Sequence, residues 1–403
     1  HTVEGLYRSL IGAVEYVNSG GGGSAEEFGA AQEFCVSFWD RGDAADYARY
    51  ILNTPAEEHT DPVRHYALQT LEHTLKRQWN LPSFGDDAKA AFKASLMELL
   101  ATGTRGILDE AAYVKQKVVV VASEAVKREW PQRWGTLLDD LFALAQSGPA
   151  QSELVVMLLH DVCEDCVLSE FNSTVPVARR NEILQALNSC LDDICGFFVS
   201  ILEQSYKAYR ELAGTAEAAP HVALLNATLA AVGAFVPWPP VDFLRNLQCV
   251  AMATSLLADE AVRMNAVDLL LLVADRKLGP EARDLRLDLV ASLVGACETL
   301  PEGDPAEDYT FHKRLCRVVA LVGNKFLLTL RADAPGEADL MLRFVRVVLN
   351  LLQHPSPMIT SFLLGLLAVL LEGAQEDPSC PMKRIAVLAP LAADVCRVLR
   401  QTL

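Results

Sequence analysis

Cys163-Glu164-Asp165-Cys166, with His160 three residues upstream, is the densest group of metal-ligating side chains in the sequence. Zinc takes four nitrogen or sulfur ligands in a tetrahedron, so a second pair at suitable spacing would have to complete the set. The next cysteines, Cys190 and Cys195, are five apart and fall on another helical segment. Two cysteines three apart on a helix also simply share one buried face, and the expectation is no metal and no cofactor. The histidines form no HExxH, and neither G-x-G-x-x-G nor G-x-S-x-G occurs. Asp192 and Asp193 are adjacent, so they point to different sides of a helix. Gly20–Gly23 lacks the Lys-Ser/Thr of a phosphate-cradling loop and reads as a flexible turn between helices. The chain is therefore expected to recognise partners and not to be an enzyme.

Recognition needs a different set of residues. His65, Gln69, Glu72 and Lys76 follow a 4-3-4 spacing, one helix face, opposite the apolar stripe Val63, Ala67, Leu71 and Leu75. Lys115 and Lys117 open the next such helix. A solvated face and a partner contact are the two readings of this set. Residues 61–134 hold 11 basic and 9 acidic residues, net +2, between segments of −7 (residues 1–60) and −8 (residues 135–200). A charge island of this kind is a candidate for partner contact. The whole chain carries 35 Lys+Arg against 52 Asp+Glu, net −17, which argues against its surface as a whole being a nucleic-acid platform. Trp79, Trp130, Trp134 and Trp238 read as packing residues. Trp130 and Trp134 are four apart and are expected on one helix face, with Pro131 in a first turn.

The elements that carry these residues read as helices throughout. Val114, Val118, Ala122 and Ala125 follow a 4-4-3 spacing, and the run Val118–Val121 lies inside this longer helical period. Breakers such as Pro55, Pro82, Pro131, Pro220 and Pro355 punctuate the chain. The expectation is about 16 to 18 helices of about 12 to 20 residues. The pattern V-R-x-x-A-x-x-x-L occurs at Val63 and again at Val262, each with an Asp just upstream (Asp61, Asp259), and a looser apolar copy lies at Ile359, Leu363 and Leu367. Ala permits close helix approach, Val and Leu fill the seam, and Arg can pair with an acid of a neighbouring repeat. This is the mark of a HEAT-type repeat of period about 40 to 47. Arg64 and Arg263 are then structural ladder residues first and ligand contacts second. The fold class is all-α, a right-handed α-α superhelix of HEAT/armadillo-like repeats. It divides nominally into residues 1–134 and 135–403, one continuous solenoid with no true linker.

Ten scattered cysteines point to a reducing compartment, which makes Asn172-Ser173-Thr174 and Asn226-Ala227-Thr228 chance glycosylation matches. No apolar run reaches the length of about 18 residues a membrane span needs, and Phe362–Leu371 is the longest candidate. No signal peptide is expected, and a first residue of His1 reads as a segment of something longer.

Three segments carry a family resemblance. Val63-Arg64-His65-Tyr66-Ala67-Leu68-Gln69-Thr70-Leu71-Glu72-His73, running on to Arg77-Gln78-Trp79, is similar to the N-terminal domain of importin-β-type nuclear transport receptors (karyopherins). Lys127-Arg128-Glu129-Trp130-Pro131-Gln132-Arg133-Trp134, followed by Leu137-Leu138, resembles the segment that opens the fourth HEAT repeat of exportins. Met97-Glu98-Leu99-Leu100, Gly103-Thr104 and Ile107-Leu108, with Glu153-Leu154-Val155, Glu164-Asp165 and His312-Lys313-Arg314-Leu315-Cys316, look most like the exportin-5 family. Gly135 departs from it, standing where a Pro is usual, and so does the glycine-rich turn. The resemblance implies a receptor shuttling between nucleus and cytoplasm. It would bind Ran in its GTP form and nuclear pore proteins, and carry structured double-stranded RNA such as pre-microRNA, with RNA contacts mainly in later repeats. It implies no membrane insertion. It places His65, Gln69, Glu72, Lys76, Lys115 and Lys117 on the inner wall that grips Ran, with residues 1–134 as the Ran-binding end. The alternatives are an exportin or importin of protein cargo, and a static HEAT scaffold that binds no GTPase.

Overall fold

The computed structural model describes residues 2–20, 22–169, 175–300, 308–331, 333–376 and 389–402. Gly21, the Asn172-Ser173-Thr174 triplet and Cys380 lie outside them. The described residues contain nineteen α-helices and no strand. They divide into two compact units, residues 1–190 with 200–231, and residues 191–199 with 232–403. The nominal division at residue 134 falls inside the first unit.

In the first unit the helices are α1 (Val3–Asn18), α2 (Ala25–Phe38), α3 (Ala44–Asn53), α4 (Asp61–Arg77), α5 (Asp86–Thr102), α6 (Ala112–Glu129), α7 (Leu137–Ala145), α8 (Pro149–Cys163) and α9 (Val177–Ser189). Starts are marked by local chemistry. Thr2 caps α1 by accepting from the Gly5 N–H, and Ser24 with Glu27 forms a reciprocal capping box on α2 immediately after the glycine-rich turn. Pro62 stands in the first turn of α4, where its missing N–H costs nothing. Helices α4, α6 and α8 pack side by side, and α3 packs on both α4 and α5. Ala67, Ala122 and Ala125 lie fully buried in these seams with Val63, Leu71 and Val118.

Helices α10 (Leu191–Glu211) and α11 (Ala219–Phe235) follow. The second unit then continues with α12 (Val241–Asn246), α13 (Cys249–Ser255), α14 (Arg263–Asp275), α15 (Arg283–Thr299), α16 (Tyr309–Phe326), α17 (Pro335–Leu351), α18 (Pro357–Glu376) and α19 (Ala392–Thr402). The same layering returns: α14, α16 and α18 form one row, and α13, α15 and α17 the other. Val262, Ala266 and Leu270 are completely buried, as are Ile359 and Leu363 of the looser copy. The helix count exceeds the expected range because short pieces are split off. Gln248 adopts a left-handed φ of 50° between α12 and α13 and separates the two.

Two further expectations are corrected. Trp130 and Trp134 do not share a helix face. Trp130 is the extended C-cap of α6 and α7 begins only at Leu137, because a proline at 131 disfavours helical backbone at the residue before it. A helical stretch of 20 residues, Ala216–Phe235, is long and apolar enough to cross a bilayer by length and composition. The window is already 56% buried inside the fold, so most of its apolar surface is engaged in packing.

Candidate partner-binding surface

The two V-R copies place their arginines at matching points. The Arg64 guanidinium donates to both carboxylate oxygens of Glu110, at 2.6 and 2.8 Å, and to the Gly103 carbonyl. Arg263 donates to Asp308 at 2.5 Å and lies over the Phe311 ring at 4.7 Å. The acids stand 46 and 45 residues downstream of their arginines. Both precede the next helix of the row, α6 or α16, so each arginine ties one repeat to the next. Arg105 returns the link by donating to Asp61 at 2.5 Å. The Arg64–Glu110 pair is almost completely buried, whereas Arg263 keeps some exposure.

Burial along α4 is nearly complete except on one side. His65, Gln69, Glu72, His73 and Lys76 are the residues beyond its first turn and before its end that keep exposure, and they form a single stripe. Glu72 holds the stripe together, accepting from Lys76 at 2.6 Å and from Lys117 of α6 at 2.7 Å. Burial alone would raise the Glu72 carboxyl, but the two lysines hold it below the usual range, so it stays ionised. His65 meets Tyr113 of α6 edge to face at 5.2 Å. Burial, then the charge of Lys117, pushes its imidazole below the ordinary value, so it is neutral at pH 7. The exposed line of α6 runs from Tyr113 through Lys117 to Val120. It then dips under Asp165, which pairs with the buried Lys127 and, through it, Glu124.

Lys115 stands apart from this stripe. Its ammonium donates to Glu153 of α8 at 2.6 Å and to the Ile107 carbonyl at 2.7 Å, and both partners of the ion pair are largely buried. Burial raises the Glu153 carboxyl above its ordinary value even with this lysine beside it. Lys115→Ala is therefore expected to lower stability at pH 7 by about 1–3 kcal/mol, since it strands a buried carboxylate. The sign with pH follows. A raised carboxyl favours folding while protonated and loses that contribution as pH rises through its folded value. The gap between wild type and variant should narrow as pH falls through that range, which thermal unfolding at several pH values measures.

The tryptophans pack. Trp79 is buried at 1% exposure against Phe84 and Phe92, and its indole N–H donates to Glu129 at 3.0 Å. Trp130 and Trp134 are buried, with the Lys93 ammonium 5.8 Å from the Trp134 ring, and Trp238 rests half-buried on Phe235. Cys163 and Cys166 end α8 and enter a π-helical turn, Glu164–Leu168. Burial pushes the Cys166 thiol up to about 11, which disfavours the thiolate that metals bind. No group of three or more His, Cys, Asp or Glu among the described residues is arranged to hold a metal ion.

Sequence reasoning missed Glu110, Glu129, Glu153 and Asp308, the acids that receive these cations, and Tyr113, an exposed aromatic at the centre of the surface. Tyr113 stands four residues before Lys117, so continuing the lysine stripe backward finds it. The acids carry no comparable signal, because each lies in a different element from its partner.

Residues 111–270 match the family described as Exportin 1-like protein. The chain is 30% identical to mouse exportin-5 over 312 residues, which is 74% of this chain and 26% of that protein. It is 24% identical to Protein HASTY 1 of Arabidopsis thaliana over 371 residues, 88% of this chain and 29% of that one. It is 22% identical to zebrafish (Danio rerio) exportin-T over 276 residues, 67% of this chain and 27% of that one. The matched part thus spans about a quarter of the length of these relatives. The chain belongs to the exportin family and corresponds to the N-terminal portion of such a protein.

Proposed function

We propose that this chain is the N-terminal part of a nuclear export receptor and that the exposed stripe of α4, with Tyr113 and Lys117 of α6, takes part in binding Ran in its GTP form. The single observation that carries the site is the burial pattern of α4. A 17-residue helix buried on every other side presents one continuous polar strip, and that strip lies in the locally basic segment between two acidic ones. The names of the relatives support export as the process. Residues 1–134 are then the Ran-binding end of a longer helical array, and the receptor shuttles between nucleus and cytoplasm past nuclear pore proteins. Cargo and Ran·GTP each raise the other's affinity, because both bind the same curvature of a flexible repeat array. The cargo in this reading is structured double-stranded RNA, held mainly by later repeats. An exportin of protein cargo is the second reading, favoured by the chain's net charge of −17, and a static scaffold is the third.

Within the strip, Glu72 is the organiser. It holds Lys76 and Lys117 extended side by side, which lowers the entropy a partner must remove to engage them. Lys115 is committed to Glu153 and serves the fold. A pull-down with Ran loaded with GTP or GDP tests the reading. Capture of the GTP form alone is expected, and equal capture of both or of neither favours the scaffold. The double variant Lys76→Glu/Lys117→Glu should weaken the GTP-form complex by about 1 kcal/mol or more per contact, that is, roughly five-fold or more each. Unchanged affinity in the folded double variant moves the contact elsewhere.

A further inference from the structure

A second surface, between α1 and α3, has its own chemistry. Helices α1 and α3 line an open cavity of about 610 Å³ with Val3, Tyr7, Arg8, Tyr47 and Tyr50, and with the carboxylates of Glu4 and Asp46. Tyr7 and Tyr50 meet edge to face, centroids 5.3 Å apart and planes at 84°, so they present two perpendicular aromatic walls. Tyr47 is buried, while Tyr50 is 61% and Val3 75% exposed. The Tyr7 hydroxyl is engaged with His59 Nε2 at 3.0 Å, which fixes the ring in place.

Aromatic faces carry negative potential and attract cations within about 6 Å of the ring centre. The surrounding charge has the same sign. Residues 1–60 hold 3 basic and 10 acidic residues. All three bases are taken by acids of the same segment, Arg8 by Glu4, Arg41 by Asp43 and Arg49 by Asp46. Both carboxylates are therefore held by an arginine of their own helix, Glu4 in an exposed pair and Asp46 in a pair whose arginine is half-buried. An arriving guanidinium can take over these carboxylates from Arg8 and Arg49 and add the Tyr7 and Tyr50 ring faces.

We propose that this cavity is a docking site for a cationic side chain, an arginine carried on an extended basic segment of a partner protein, with its guanidinium against the Tyr7 and Tyr50 rings and within reach of Glu4 and Asp46. An apolar occupant would use the rings but gain nothing from the two carboxylates or the net negative segment. The guanidinium uses all three.

Fluorescence anisotropy on the full chain tests it, with a labelled Gly-Ser peptide carrying two arginines, a twin with citrulline in their place and a twin with phenylalanine. The arginine peptide is expected to bind at least ten-fold more tightly than the citrulline twin, which keeps the shape and removes the charge. Tyr50→Ala should weaken it five-fold or more, and Tyr50→Phe should leave it within two-fold. Because the Tyr50 side chain is mostly exposed, both variants should retain the wild-type helical circular dichroism. Equal binding of the arginine and citrulline peptides, tighter binding of the phenylalanine twin, or no binding of any peptide overturns the proposal. An arginine peptide that ignores Tyr50→Ala overturns it as well, since the acidic surface at large would then be the binder.

Discussion

Replacing Arg64 with Met should lower the unfolding free energy of the first unit by about 3–5 kcal/mol, because it leaves Glu110 buried and unpaired. The pair is inaccessible on both sides, with 2% and 1% of the two side chains exposed, so water cannot take over from the guanidinium. Four of the five tryptophans (Trp39, Trp79, Trp130 and Trp134) lie in the first unit, so fluorescence-monitored urea unfolding reads that unit. The double variant Arg64→Met/Glu110→Leu should recover a large part of the loss, since removing both charges removes the stranded one. Acid makes a second check. Burial pushes the Glu110 carboxyl up, but hydrogen bonds from Arg64 and the Arg105 backbone hold it below the usual range. A depressed carboxyl contributes stability above its ordinary value and loses it as pH falls through the folded value. The wild-type advantage over Arg64→Met should therefore shrink in acid. A variant as stable as wild type at pH 7 would mean that Glu110 finds another donor.

Trp79→Ala should cost about 3–5 kcal/mol in the same measurement. The ring fills the space between Phe84 and Phe92, and its N–H is one of the donors that hold the buried Glu129. Lys93 also donates to that carboxylate, at 3.2 Å, and Arg133 pairs with it at 3.7 Å. Trp79→Phe separates the two contributions. It keeps an aromatic ring in the cavity but loses the N–H and part of the indole's volume, so a smaller loss of about 1–3 kcal/mol is expected. Equal losses for Ala and Phe would assign the whole effect to the Glu129 hydrogen bond.

The helix rows were legible because their signals are local. The 3.6-residue period of α4 and α6, the proline-marked ends and the V-R-x-x-A-x-x-x-L spacing each describe a single helix or a repeated one. The stripe on α4 was legible for the same reason, since four polar residues at 4-3-4 spacing must share a face. What could not be read was pairing between elements. Nothing near Lys115 marks it as a partner of Glu153 on α8, so it was grouped with Lys117 although the two side chains go to different acids. The tryptophan pair failed for a local reason that was present in the sequence. A four-residue spacing suggests one face, but the intervening proline bars Trp130 from helical backbone, and that restriction outweighs the spacing.

The ladder also sets how the chain can be made. Links from Lys93 to Glu129, Arg64 to Glu110, Arg263 to Asp308 and Arg283 to Glu337 reach 36, 46, 45 and 54 residues along the chain. A nascent repeat therefore waits only for the next one to leave the ribosome before its cation meets its acid. Synthesis at about 5–20 residues per second supplies that partner within several seconds. Assembly can then proceed in step with translation from the first repeat onward, and the interval most open to chaperones or misfolding is the delay between one repeat and the next.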